Sequence, residues 1–197
     1  DDGGGVVRRE QRPEGILPPH VAMHAVRRLG QPDRHALDVL GPDVVRVDEI
    51  KDGADHPLNQ ACRGPEAHRD ALQLPLHTQV GDDRARIATR VRALCTIGAY
   101  AAVLVTGGTG LAPRDVTYEA ITSLLEKNLD GFGELFRVLS FQEIGPQAIL
   151  SRAIAGCRGH TLIFAMPGST PAVRLAMEKL ILPILPHAAG LLTPSPR

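Results

Sequence analysis

The chain has 197 residues, of which 43% are hydrophobic, and its 22 lysines and arginines balance 22 aspartates and glutamates. That length suits one domain with a sizeable core and is marginal for two. A zero formal net charge supplies no field to recruit nucleic acid or an anionic membrane, and no apolar run approaches the ~18 residues of a membrane span.

Residues 1–66 are rich in arginine, glycine, proline, histidine and aspartate, with few consecutive apolar residues. Within them, residues 44–47 (Val-Val-Arg-Val) resemble a strand, and residues 21–29 could form one basic helix. Acidic residues lie among Arg8, Arg9, Arg27 and Arg28, and aromatics are nearly absent, which argues against a nucleic-acid arm. The segment is expected to be solvated and poorly ordered, ahead of a domain over residues 67–190 and a tail at 191–197. It opens Asp1-Asp2-Gly3-Gly4-Gly5, with no basic stretch leading into an apolar core, so no signal peptide is expected. The scattered cysteines, Cys62, Cys95 and Cys157, predict reduced, half-buried thiols and a cytoplasmic setting, and dispersed histidines make a histidine-built metal site an unexpected outcome.

Downstream, elements alternate. Leu72, Leu74 and Leu76 alternate with polar residues and Pro75, predicting an edge strand near 72–77. Asp82 or Asp83 can cap a helix whose apolar positions are Ile87, Val91, Leu94 and Cys95, closed by Gly98. Residues 101–105 (Ala-Ala-Val-Leu-Val) read as a buried strand, and Thr117 as the cap of a helix with Ile121, Leu124 and Leu125 inside. Another helix is expected over residues 132–139, a short one from Pro146 to near Ser151, and a second buried strand over residues 161–165. Pro171 then opens a long helix with Val173, Met177, Leu180 and Ile181 on its core face. Such alternation predicts an α/β fold of three layers, a mostly parallel sheet with helices on both faces.

Ligands in such sheets gather at the carboxyl ends of strands, where both glycine-bearing loops fall. The first is Thr106-Gly107-Gly108-Thr109-Gly110, followed by Arg114-Asp115, and the second is Pro167-Gly168-Ser169. The first is neither a dinucleotide fingerprint nor a P-loop, since G-x-G-x-x-G and Gly-Lys-Ser/Thr are absent. Glycines let backbone N–H groups approach a ligand, Gly108 above all, and threonine hydroxyls add donors. The loop therefore suits a phosphate or a carbonyl-rich heterocycle. Asp115 at its rim makes sense where it meets a metal ion or a proton donor.

Five motifs in order, the 106–110 loop, Arg114-Asp115-Val116-Thr117, Gly131-Phe132-Gly133-Glu134, Leu150-Ser151-Arg152-Ala153 and Phe164-Ala165-Met166-Pro167-Gly168-Ser169, carry a resemblance. Over roughly residues 78–190 the chain resembles the MoaB/MogA family of molybdenum cofactor biosynthesis proteins, closest to the MoaB branch. The resemblance implies a three-layer α/β protein, a homotrimer or hexamer that binds molybdopterin. Active members adenylylate it with ATP and Mg2+. By position, Thr106, Gly107, Gly108, Thr109 and Gly110 would cradle the pterin or its phosphate, flanked by Arg114, Glu134, Pro167, Gly168 and Ser169. Asp115 and Asp82 match the family's two functional aspartates and are the candidates for catalysis and for holding magnesium.

The chain departs from that pattern at Tyr118, where a proline is common, and at Thr170, which intervenes before Pro171. Family members also open with an apolar strand ending in Ser-Asp that carries part of the site, and residues 1–66 show none. The implied reaction is molybdopterin adenylylation. The competing readings are a non-catalytic molybdopterin-binding or scaffold protein of the same pathway and an inactive product of a shifted reading frame.

Overall fold

The computed structural model describes residues 20–27, 44–46 and 76–193. Among these described residues, seven strands form one sheet in the order β2-β3-β1-β4-β7-β6-β5. These are β1 (His20–Arg27), β2 (Val44–Arg46), β3 (Leu76–Gly81), β4 (Tyr100–Thr106), β5 (Lys127–Asn128), β6 (Ile154–Arg158) and β7 (Thr161–Met166). β4 is buried at every position because helices cover both of its faces. Val103 and Val105 enter one core with helix α1 (Arg84–Ile97) and α2 (Thr117–Thr122), while Ala102 and Leu104 enter the other with Phe132, Phe136 and Met177. The period of two along a doubly covered strand gives the three layers of the α/β fold. Among the described residues no helix is long and apolar enough to cross a membrane.

Four expectations are corrected here. The stretch expected as a basic helix at residues 21–29 is a strand over His20–Arg27. Val21, Met23 and Ala25 alternate with Val26 between the two cores, so tertiary burial selects the two-residue period over the helical one. β1 also places, at residues 20–27, a paired strand within the segment expected to be poorly ordered, bonded to β3 on one edge and β4 on the other; it ends in Val26-Arg27, so the strand ending in Ser-Asp is still not seen among the described residues. Arg8, Arg9, Arg28, Cys62, Val47 and the remainder of 1–66 lie outside the described residues, as do 72–75, so the strand expected near 72–77 is seen only from Leu76 onward; it is not an edge strand, since β3 is paired on both sides, with β2 and with β1.

The fourth correction concerns pairing. The sheet is mixed: β4 and β7 run parallel, and the other five strand pairs are antiparallel. β6 and β7 are joined by the two residues Gly159 and His160, a connection too short for a parallel crossover. β1 is antiparallel to β4, with Ala22 opposite Thr106. Its beginning, and not its end, therefore lies at the carboxyl end of β4.

Helix α3 (Asp130–Ile144) is longer than the predicted 132–139 and passes directly into a 3-10 turn over Gly145–Leu150. Helix α4 (Thr170–Leu175) continues through a π-helical stretch, Ala176–Ile181, into α5 (Leu182–Leu191). Pro183 has no N–H to donate and its ring crowds the carbonyl four residues back, and the backbone widens just ahead of it, where the Leu182 N–H reaches the Met177 carbonyl. Cys157 is buried and Cys95 half-buried, both free thiols. Burial pushes the Cys95 thiol up to about 11, with Arg158 opposing and Glu126 adding to the shift, which keeps it protonated and unreactive at neutral pH.

Candidate functional site

Strand direction brings three carboxyl ends together. Gly81 of β3 lies opposite His20, Thr106 of β4 opposite Ala22, and Met166 of β7 beside Thr106, so the loops after all three leave the same end of the sheet. The two glycine-bearing loops meet there backbone to backbone. The Gly107 N–H donates to the Met166 carbonyl at 3.0 Å. A Cβ on Gly168 would stand 3.3 Å from the Gly107 Cα. Gly107 and Gly108 hold φ of 97° and 64°, the left-handed region that glycine enters without penalty.

The carbonyls of the loop are tied inward one after another. Gly108 O accepts from the Thr117 N–H at 2.9 Å, Thr109 O from the Arg152 N–H at 3.2 Å, and Gly110 O from Arg152 Nε at 2.9 Å. No peptide bond here is cis, so each anchored carbonyl aims the N–H of the next residue the opposite way. The N–H groups of Thr109, Gly110 and Leu111 therefore point away from those partners, and none donates a hydrogen bond among the described residues; Thr109 is buried, and Leu111 is the most open of the three. Successive N–H groups left without an acceptor are donors suited to an anion.

Asp115 closes the turn that follows. Its Oδ2 accepts from the Ala112 N–H at 3.0 Å and its own N–H donates to the Ala112 carbonyl at 2.8 Å. A side chain at Gly110 would come within 2.7 Å of that same Oδ2, so glycine is required for the carboxylate to lie against the loop. Arg114 is exposed at the tip of the turn, and Pro167 and Ser169 flank Gly168 on the second loop. Asp82 is half-buried just past β3. It shares the rim with the loop but lies on the far side of β1, about 10 Å from β4 at ordinary strand spacing. The cap of α1 is Asp83, whose carboxylate accepts from the Arg86 N–H at 2.8 Å, which leaves Asp82 out of that role.

One other expectation changes. Thr117 does not cap α2: Val116 occupies the cap position, and the Thr117 Oγ1 is buried without a partner beneath Gly108. Glu134 is exposed on α3, and its connection to the loop is indirect. The preceding Gly133 lets α3 close on Ala153, whose carbonyl would stand 2.6 Å from an added Cβ, and Ala153 follows Arg152. Among the described residues no three His, Cys, Asp or Glu side chains cluster as a metal cage.

Arg152 is the residue that sequence reasoning left without a role. It is the lone charged residue between Glu143 and Arg158, and that isolation in an apolar stretch was the available signal. Besides the loop carbonyls, its guanidinium donates to the Asp115 carbonyl at 2.8 Å, pairs with the Glu119 carboxylate, and lies 5.2 Å over the Tyr118 ring. Burial pushes the Glu119 carboxyl up, but the hydrogen bond and charge of Arg152 outweigh that and hold it below its ordinary value. A depressed carboxyl contributes stability above its unfolded pKa and loses it as pH falls through its folded one. The stability difference between the protein and Glu119→Gln is thus expected to be constant above about pH 5 and to shrink below it. Glu119 is 41% exposed, so screening keeps the difference under about 1 kcal/mol, readable by urea titration at several pH values.

Comparison with known proteins places this geometry. Residues 48–187 match the family described as "Probable molybdopterin binding domain". Over 92 residues the chain is 60% identical to molybdenum cofactor biosynthesis protein B of Staphylococcus carnosus, covering 46% of this chain and 54% of that protein. It is 54% identical over 109 residues to the protein of the same name from Bacillus subtilis, covering 55% and 64% respectively. A crystal structure of a molybdenum cofactor biosynthesis protein B superposes with a TM-score of 0.55 at 52% identity, over 56% of this chain and 70% of that one. The chain thus spans little more than half the length of the curated relatives it matches.

Proposed function

The chain belongs to the family of molybdopterin binding domains, and from that premise we propose that it acts in molybdenum cofactor biosynthesis, binding molybdopterin at the 106–110 loop and adenylylating it from ATP. The observation that carries this reading is that the loop's carbonyls are anchored on Thr117 and Arg152 while the N–H groups of Thr109, Gly110 and Leu111 donate to no described residue. These donors would hold the molybdopterin phosphate, and Thr106, Gly107, Arg114, Glu134, Pro167, Gly168 and Ser169 would border it.

The chemistry asks little covalent work of the protein. An oxygen of the molybdopterin phosphate attacks the α-phosphorus of ATP, a new P–O–P linkage forms, the bond to the β-phosphate breaks, and pyrophosphate leaves. Catalysis is then positioning plus charge neutralisation. Magnesium fits the donors present: the Asp115 carboxylate offers a hard oxygen, Oδ1, that no described residue engages, and Asp82 offers a second carboxylate at the rim. Mg2+ is commonly held by one or two carboxylates with phosphates and water completing the shell, and it would neutralise charge on the leaving pyrophosphate. Purified protein is expected to bind molybdopterin at equilibrium and, with Mg-ATP, to release pyrophosphate in step with adenylylated molybdopterin. No saturable molybdopterin binding would overturn the reading.

One observation favours a non-catalytic molybdopterin-binding or scaffold role. β1 reaches the loop with Val21 and Ala22, the Ala22 carbonyl accepting from Thr106 Oγ1 at 3.4 Å, where the family's strand would bring Ser-Asp. Saturable binding without pyrophosphate release would select that role.

We also propose self-association as a homotrimer or hexamer. Supporting it, Leu135, Val138 and Phe141 stand exposed at helical spacing on α3, beside exposed Ile149 and Leu150. Sedimentation at micromolar concentration is expected to give a species of three or six chains. The pair Val138→Glu and Phe141→Glu is expected to shift it to monomer, and a strictly monomeric parent would overturn the proposal.

A further inference from the structure

We infer that Arg152 is a positioning residue for the 106–110 loop, acting through the loop's carbonyls to set the direction of its N–H groups; the inference rests on the anion-binding reading of that loop. One side chain and its own backbone N–H span the loop from both ends. The backbone N–H takes the Thr109 carbonyl, Nε takes Gly110, and a terminal guanidinium nitrogen takes Asp115. The other terminal nitrogen pairs with Glu119 on α2, and the guanidinium plane lies over Tyr118. Every one of these partners belongs to the loop, to its closing turn or to the helix behind it.

The geometry makes the side chain's contribution specific. A guanidinium is a rigid fork whose donors point in fixed directions, so three acceptors on three residues are met by one conformation. Glu119 neutralises the charge and holds the fork from behind, and the Tyr118 ring packs against the guanidinium carbon at 5.2 Å. Without the fork, the Gly110 carbonyl loses its partner, and a glycine peptide beside two positive-φ glycines is free to rotate. Rotation of that unit turns the Leu111 N–H inward and breaks the run of three donors. A lysine at 152 keeps the charge but presents a single ammonium, which cannot reach both the Gly110 and Asp115 carbonyls in those directions.

The test uses the full chain, with Arg152→Lys and the milder Glu119→Gln. In ligand-free protein at a temperature where all three are folded, amide resonances of Thr109, Gly110 and Leu111 are expected to move in Arg152→Lys. Those of Thr161 and Leu162, at the opposite end of β7 from the loop, are expected to stay, which a general loss of packing would not allow. Molybdopterin binding is expected to weaken about tenfold or more in Arg152→Lys and only a few-fold in Glu119→Gln, where the Gly110 and Asp115 bonds remain. Unmoved loop amides, or binding within twofold of a parent that binds, would overturn the inference. If the parent does not bind molybdopterin yet the three amides move in Arg152→Lys, the positioning role stands and the proposed function falls.

Discussion

Adenylylation by the Asp115→Asn variant is expected to be slower by about 100-fold or more, with molybdopterin binding held within about tenfold. Asparagine is the informative replacement because its carbonyl oxygen can still accept from the Ala112 N–H, as Asp115 Oδ2 does at 3.0 Å. The turn over residues 111–115 therefore survives while the negative charge is removed. Alanine would also open the turn and confound folding with chemistry. A charge that meets magnesium would act mainly where charge develops, on the leaving pyrophosphate, whereas the loop N–H groups, on the proposed reading, would hold the phosphate in the ground state. Measured side by side, initial rates and equilibrium binding separate the two. An unchanged rate in an active parent would restrict Asp115 to closing its turn.

Gly108→Ala is expected to destabilise the protein by about 2–4 kcal/mol, a fall of roughly 5–15 °C in Tm. From sequence, Gly108 is a point of close ligand approach, but the structure gives its hydrogen a different neighbour. A Cβ there would point inward, 2.4 Å from Thr117 Oγ1 and 3.2 Å from Val21 Cγ2, on a residue held at φ 64°. The damage is therefore to the seat of the loop and only secondarily to the ligand. Thr117→Ala removes the closest of those atoms, and because that hydroxyl has no partner its loss is expected to cost little by itself. The double variant is expected to recover part of the loss, a coupling of about 1 kcal/mol or more in a double-mutant cycle. Additive losses would show that backbone strain alone governs position 108.

What could be read in advance was whatever depends on local pattern. α1 repeats its apolar residues at helical spacing and stops at Gly98, whose φ of 72° suits only glycine comfortably, and β4 is an uninterrupted apolar run. The candidate loop was likewise visible, because two positive-φ glycines after a strand are a local requirement. β1 was not, since its histidines and terminal arginine mask an alternation that becomes decisive only when two neighbours bury it. β6 was missed for a related reason. Its Gly156 weakens any strand signal, yet a Cβ there would stand 2.3 Å from the Lys127 carbonyl, so β5 can pair only because the residue is glycine. Arg152 lies furthest from local legibility, because its role is defined by carbonyls as far back as Thr109.

The place of β1 in the sheet has a kinetic consequence. The bond from Thr106 to Ala22 closes a separation of 84 residues, and β1 also completes both flanking ladders. Contacts of that range carry a loop-closure cost before they return any stabilisation, so they form late. Until β1 docks, β4 offers an open apolar edge to other chains, the kind of edge on which folding intermediates aggregate. The carboxyl end of β4 then has no floor on one side, and the loop above it is expected to be among the last parts to assemble.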